Sequence, residues 1–393
     1  MLMDAHADIN SVLDAIDNVA LLSEPTPLGD LSKIKIPRRE WLIFERLIPG
    51  YVTGVVGQGG SNKTTLALTE AVAVVTGRPL TDHRVDKTGN VWIINLEDDR
   101  DEMHRRLLAI CLKNAIDPAT LADKVFLDAG ADQNFAVVTE TSHGVVASPN
   151  VKRCIQHIKK HEISLLIVDP FVRAHGVSEN DNRAMDAVIQ QFSKIAQATG
   201  CAISLVHHTG KLNGRDIAGD ADAGRGASAF VNALRVCHTI TVMSGKDAET
   251  LGIPEAERLT YVRLDRSKAN LLPPATSASW FHRVGVDLDN GDNVGVLEIW
   301  DAPRVETMND DRKTDFVELV EQRWREGNPL ASAPNSARYA VNAMDQVLGI
   351  PRAAGKKLLK EVIASGLVKD AFFDKRNKQR GLIVNGMDLG EDN

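Results

Sequence analysis

Short β-rich runs that alternate with helical stretches predict an α/β protein with a mainly parallel sheet. Three observations carry this reading. The first is the order itself. Strands are predicted at Tyr51–Val56, Asn90–Leu96, Ser164–Val168, Ala202–Val206 and Val236–Met243. Helices near Thr64–Val75, Glu102–Asn114, Val151–His161 and Ala184–Thr199 fall between them. Strands separated by helices pair in parallel through right-handed crossovers. The second is that Thr260–Leu264, Ser279–Val286 and Val294–Trp300 follow one another without helices, with Asn290-Gly291 as a hairpin turn signal. They predict an antiparallel extension. The third is a change of character after Asp301-Ala302-Pro303, which predicts a second domain.

That second domain differs in charge. The 393 residues carry a net charge of −7, but residues 312–384 hold 14 Lys/Arg against 8 Asp/Glu, whereas residues 1–311 hold 32 against 42. A basic module is attached to an acidic body, and the whole-chain figure hides it. Helices are expected at Thr314–Glu326, Ser336–Leu348 and Arg352–Ser365, the last with Leu358, Leu359, Val362 and Ile363 on one face and Gly366 as its stop. Leu367-Val368, the polar stretch Asp374–Arg380 and Gly381–Val384 then read as a hairpin with a charged tip. Three helices and a hairpin outline a winged helix-turn-helix. The expected organisation is an arm at 1–36 with a short amphipathic helix around Ile9–Leu22, a core at 37–305, the winged module at 312–385 and an acidic tail at 386–393.

Composition narrows the class. With 43% hydrophobic and 25% charged residues the chain can bury a substantial core, which excludes wholesale disorder, collagen and a disulfide scaffold. Apolar stretches such as Ile163–Val168 fall far short of the roughly 18 residues of a membrane span. Asp4, His6 and Asp8 do not make a signal peptide. Cys111, Cys154, Cys201 and Cys237 lie far apart and read as buried thiols, so a cytoplasmic protein is expected.

The chemistry concentrates at strand ends. Gly54-Val-Val-Gly57-Gln-Gly59-Gly60-Ser61-Asn62-Lys63-Thr64-Thr65 follows a strand and opens a helix. A nucleoside triphosphate needs closely approaching backbone N–H groups, a lysine for the β/γ oxygens and a hydroxyl for Mg²⁺, and this segment supplies all three. It departs once from Gly-x-x-x-x-Gly-Lys-Ser/Thr, with Asn62 in place of the last glycine; Asn is the next most tolerant residue of positive φ. Asp169 ends the apolar run Ile163–Val168, as a buried strand delivering an acid to the Mg²⁺ shell would. Glu97, Asp98 and Asp99 end another strand. Glu97 is a candidate general base, and the competing reading is a charged helix start. His207-His208 end a third strand, suited to sensing a γ-phosphate; no second Cys/His/Asp cluster has the spacing to complete a zinc site.

In the C-terminal module, Arg352, Lys356 and Lys360 recur at four-residue steps and put three cations on one helix face. Lys375, Arg376, Lys378 and Arg380 crowd the hairpin tip. A basic helix and a basic wing suit duplex DNA; a solvated face or a protein-docking module is the competing reading.

The ordered set Trp41…Leu47-Ile-Pro-Gly50, the phosphate loop, Asn95-Leu-Glu97-Asp98 with Arg105-Arg106-Leu107, Val168-Asp169-Pro170, His207-His208-Thr209-Gly210-Lys211, Arg225-Gly226-Ala-Ser228 and Lys268-Ala-Asn270 resembles the RepA-type family of RecA-fold ATPases. These are hexameric plasmid replicative helicases and their phage or mobile-element relatives. The resemblance covers roughly residues 38–300. It implies a RecA-like P-loop core, ATP bound between the subunits of a homo-oligomeric ring, and single-stranded DNA passing through that ring. It also implies roles: Lys63 on phosphate, Thr64 and Asp169 on Mg²⁺, Glu97 on water, His207 or His208 as sensor. Arg225 would be the arginine finger reaching the neighbouring subunit, with Arg266 or Lys268 as further groups acting in trans. The loop Leu212–Gly224 is the expected contact with single-stranded DNA, although Asp216, Asp220 and Asp222 offset Lys211 and Arg215. Two departures stand out: Asn62 and the appended C-terminal module. They leave an alternative, an ATP-gated DNA-binding regulator or helicase loader that unwinds nothing.

Overall fold

The structure, a computed structural model, describes residues 24–130, 135–142, 144–179, 181–209, 227–273, 275, 277–303, 310–374, 376–377 and 379–387. The expected helix at Ile9–Leu22, the loop Leu212–Gly224, Arg225, Lys375, Lys378 and residues 388–393 of the acidic tail lie outside the described residues. The chain divides into two compact units, Met1–Arg39 and Glu40–Asn393. In the first, the described residues 24–39 form one 3-10 turn, Leu31–Lys33, whose preceding Asp30 side chain accepts the Ser32 N–H at 3.0 Å.

In the second unit the strands are β1 (Val52–Gly57), β2 (Asn90–Asn95), β3 (Val125–Ala129), β4 (Val138–Thr141), β5 (Gly144–Ala147), β6 (Ile163–Asp169), β7 (Ala202–His208), β8 (Val236–Val242), β9 (Tyr261–Ala269), β10 (Ser279–Asp287), β11 (Asn293–Ile299), β12 (Val368–Asp374) and β13 (Gln379–Val384). The helices are α1 (Lys63–Thr76), α2 (Arg100–Lys113), α3 (Asn150–Lys160), α4 (Asn182–Thr199), α5 (Ala227–Ala233), α6 (Gly245–Leu251), α7 (Asp310–Arg325), α8 (Ala340–Leu348) and α9 (Arg352–Ala364).

Nine strands form one sheet in the order β11-β10-β9-β8-β1-β7-β6-β2-β3. From β8 to β3 every pairing is parallel, and β8 to β11 pair antiparallel, as the alternation of the sequence implies. The mainly parallel sheet with helices on its faces is an α/β, RecA-like core. Helices α3, α4 and α5 bury Cys154, Ile158, Met185, Phe192 and Phe230 against one face. Helices α1 and α2 bury Leu68, Val72, Met103, Leu107 and Ile110 against the other. The register aligns Gly57 with His208 and Asn95 with Asp169, so four strands end together along one edge. Open α/β sheets bind ligands at that carboxyl edge.

Several elements were not expected. Strand β3 extends the parallel part by one edge strand, β4 and β5 form a separate hairpin, and α6 is a two-turn helix after β8. Strand β9 also runs on past Leu264 to Ala269.

The β10–β11 hairpin does more than widen the sheet. Strand β10 pairs with β9 only over Ser279–His282, and from Arg283 onward it keeps β11 as its partner while leaving β9. Beyond that point Val284, Val286, Leu288, Val294 and Val296 pack onto the cluster of α1 and α2. Two ion pairs hold the hairpin on α2: Arg105 with Asp292 at 2.9 Å, and Lys113 with Glu298 at 2.8 Å.

Helix α1 is buried over nearly its whole length, as the run Leu66-Ala-Leu-Thr-Glu-Ala-Val-Ala-Val-Val dictates for a helix with apolar groups on every side. Glu70 is the exception within that run and is fully buried. It accepts the Arg46 Nε–H at 2.6 Å and a second bond from Nη2. Burial pushes the Glu70 carboxyl up, opposed by Arg46. All four cysteines are buried free thiols.

Residues 310–387 carry their own apolar cluster, with Phe316, Val320, Val341, Met344, Leu358, Val362, Val368 and Leu382 at its centre. It joins α7, α8 and α9 to the antiparallel pair β12–β13. Among the described residues no helix is long and apolar enough to cross a membrane.

Removing one partner of a buried ion pair strands the other charge. Arg46→Ala should therefore cost about 3–5 kcal/mol in urea denaturation, and replacing both partners, Arg46→Met with Glu70→Leu, should recover most of that loss.

Candidate functional site

The turn from β1 into α1 is set by crowding at one end and left-handed backbone at the other. A Cβ on Gly57 would stand 2.4 Å from the Ile240 carbonyl oxygen and 2.6 Å from Ser61 Oγ, so only glycine fits. Gly60 has φ +74°. Asn62, in place of the usual glycine, adopts φ 67°, ψ 27° as the residue before α1, so the loop closes around it. Ser61 Oγ is buried and has no hydrogen-bond partner among the described residues.

Lys63 opens α1, 3% exposed, and its Nζ donates to the Gln58 carbonyl at 2.7 Å. Burial pushes its ammonium down to about 8, against the pull of Asp169 and Glu97. The Thr64 hydroxyl donates to Asp169 Oδ2 at 2.6 Å. Asp169 ends β6 nearly as buried as Lys63. Burial raises its carboxyl to about 6; the Thr64 hydrogen bond and Lys63 oppose the shift. The structure thus brings the loop, Lys63, Thr64 and Asp169 together.

After β2, the Asn95 side-chain oxygen accepts the N–H groups of Glu97 at 3.0 Å and Asp98 at 2.7 Å. The two readings of the acidic run divide between its members. Asp99 caps α2 by accepting the Glu102 N–H at 2.7 Å, with Asp101 and Glu102 in the first turn. Asp98 pairs with Arg106 at 3.2 Å. Glu97 is engaged by neither; its carboxylate lies 3.8 Å from His208 Nε2 at the mouth of the site. In the sheet β2 lies beyond β6, and the strand between β1 and β6 is β7.

Strand period separates the two histidines of β7. His208 lines the cleft. His207 is 2% exposed, its ring packed against Phe171 at 5.7 Å and Phe230 at 4.8 Å, with Nδ1 3.5 Å from Glu179. Burial first, then His208, His175 and Lys63, push the His207 imidazole down to about 4.

Lys63, Thr64, Glu97, Asp98 and His208 line a cleft of about 650 Å³. It is lined by the phosphate loop, by Glu97, Asp98 and the α2 residues Glu102, Arg105 and Arg106, and by Asp292–Gly295 of the hairpin, which joins the α2 wall through the Arg105–Asp292 pair. That last wall has no sequence motif. Neither has Arg283, whose Nη2 donates to the Gly60 carbonyl at 2.8 Å.

Residues 18–214 match the family described as the AAA domain. The chain belongs to that family. AAA domains are P-loop ATPases, which implies nucleotide binding, typically with Mg²⁺. The residues of this AAA domain fit both. A hydroxyl and a carboxylate oxygen in contact form the hard donor set Mg²⁺ takes. Among the described residues the Ser61 hydroxyl has no partner and the Lys63 ammonium bonds only the loop's own Gln58, which suits a phosphate in the cradle.

The remaining predicted residues are placed elsewhere. Arg266 is bound within the chain, its Nη1 2.7 Å from Glu45 and its Nη2 donating to the Pro273 carbonyl at 2.9 Å. Lys268 donates to the carbonyls of Val231 and Asn232 at the end of α5, at 2.9 and 2.8 Å. Arg225 lies outside the described residues. In the C-terminal module Lys356 and Lys360 are exposed along α9, while Arg352 at its start donates to Asn342 Oδ1 at 2.6 Å. Arg376 is exposed in the hairpin turn, and the Arg380 guanidinium lies over the Phe372 ring at 4.8 Å.

The depressed His207 has a consequence for stability. Between pH 6.5 and 4 the unfolded chain binds a proton that the folded chain does not, so stability falls as pH falls through that window. His207→Leu should abolish this component. The wild type should lose about 2 kcal/mol more than the variant between pH 7 and pH 5 in paired denaturation curves.

Proposed function

We propose that this AAA domain protein is an ATP-hydrolysing, ring-forming DNA motor of the RepA type, a replicative helicase of a plasmid, phage or integrated element. The observation that carries the reading is the pairing, in one chain, of a phosphate-loop cleft with Glu97 at its mouth and a basic module of three helices and a hairpin. Lys63 and the loop N–H groups would hold the phosphates, and Thr64 and Asp169 would hold Mg²⁺. Bound Mg²⁺ supplies charge neutralisation of the phosphate oxygens. Glu97 would take the proton of the attacking water, and of the two histidines His208, which lines the cleft 3.8 Å from Glu97, would register the γ-phosphate.

Arg225 is the proposed arginine finger of a hexamer; the intrachain bonds of Arg266 and Lys268 make those two weaker candidates for acting in trans. The C-terminal module is proposed to be a winged helix. Its exposed Lys356, Lys360 and Arg376 support contact with duplex phosphates, and Arg352 and Arg380, each with a partner inside the module, would frame that surface. Lys375 and Lys378 complete the basic tip by sequence.

The test is the steady-state ATPase rate with and without single-stranded DNA, followed by strand displacement on a forked substrate. The motor reading expects stimulation by the strand that weakens with salt, and unwinding. A slow rate indifferent to DNA, with no displacement, would replace it by the ATP-gated regulator or loader. Glu97→Gln should retain ATP binding but lose turnover by about 10²- to 10⁴-fold in a phosphate-release assay. Normal turnover would remove Glu97 from the base role.

A further inference from the structure

The phosphate loop is held differently at its two ends. Gly57 is wedged against Ile240 and Ser61, whereas a Cβ on Gly59 or Gly60 would meet nothing within 4 Å. The tip therefore lacks packing to fix its peptides. Within the loop, the described bonds are Ser61 N–H to the Gln58 carbonyl, long at 3.3 Å, and Lys63 Nζ to that same carbonyl. From outside it, the tip receives the Arg283 guanidinium at Gly60, 223 residues away in sequence.

The direction of that bond matters. In a planar trans peptide the C=O and the following N–H point opposite ways. A guanidinium on the Gly60 oxygen therefore fixes the Ser61 N–H on the opposite side of that peptide, where it makes its long 3.3 Å bond to the Gln58 carbonyl that the Lys63 ammonium also meets. A cation on the carbonyl also polarises the peptide and strengthens its N–H as a donor. Arg283 itself is committed to this place. It sits where β10 parts from β9, and among the described residues its buried Nε has no hydrogen-bond partner.

We propose that Arg283 is a positioning residue for nucleotide binding, acting through the Gly60 carbonyl to fix the Gly60–Ser61 peptide of the phosphate cradle. It thereby links the antiparallel hairpin to the phosphate loop. The proposal rests on the nucleotide reading of the cleft.

The experiment is calorimetric titration of ADP with Mg²⁺ into the full chain and into Arg283→Met and Arg283→Lys, with thermal melts of each in the absence of nucleotide. A charge-assisted hydrogen bond is worth enough to change affinity by about tenfold. Arg283→Met should raise the Kd for ADP by about that factor, Arg283→Lys should stay near the wild type, and the nucleotide-free melts should coincide. An unchanged Kd in Arg283→Met would overturn the proposal. So would equal loss in both variants with lowered melts, which would mark Arg283 as a fold residue only. Failure of the wild type to bind ADP is a separate outcome and would overturn the nucleotide reading itself.

Discussion

An ammonium and a carboxylate are kept almost wholly out of water at the carboxyl edge of the sheet, and the rest of the site is arranged around that cost. Lys63 and Asp169 are each about 3% exposed, and burial moves both toward their neutral forms. Neither has the close mutual ion pair that would offset desolvation. Lys63 turns to the Gln58 carbonyl and Asp169 to the Thr64 hydroxyl. Polyphosphate and a divalent cation would restore the missing charge partners on both sides.

The same economy of charge recurs beneath the site. Glu70 lies two turns along α1 from Lys63, inside a helix that packs on every side, and Arg46 from the segment before β1 meets it there. An apolar residue at position 70 would satisfy the packing, but it would leave the guanidinium stranded. The pair ties the Trp41–Gly50 segment to α1. Outside, Arg105–Asp292 and Lys113–Glu298 play the analogous part for the hairpin.

How much of this was legible depended on the range of the signal. The strands β1, β2, β6, β7 and β8 and the four helices among them were readable because each carries its periodicity within a dozen residues. Asn62 was readable as a tolerated departure because its backbone requirement is local, and φ 67° meets it. Strand β3 is a five-residue edge strand, half-buried throughout, and β4–β5 is mostly exposed, so neither shows the alternation that marks a strand. The two histidines could have been separated by strand period alone, since neighbours on β7 face opposite sides. Arg283 and Asp292–Gly295 could not. The contact of Arg283 with the loop and the place of Asp292–Gly295 in the cleft follow from a strand leaving its partner, which local composition does not encode.

That departure bears on how the protein is made. Strand β1 is buried along its whole length between β7 and β8, and β8 begins at Val236. The family match ends at residue 214, so the matched span alone would leave the phosphate-loop strand as a bare, apolar sheet edge, the kind that recruits foreign strands. A chain emerging from the ribosome passes through that condition. The β1 edge is covered once β8, Val236–Val242, has been synthesised, and the cleft gains its Asp292–Gly295 wall only later, with β11. The smallest piece expected to keep the sheet and the cleft whole therefore runs through β11, well beyond the part that carries the family's signature.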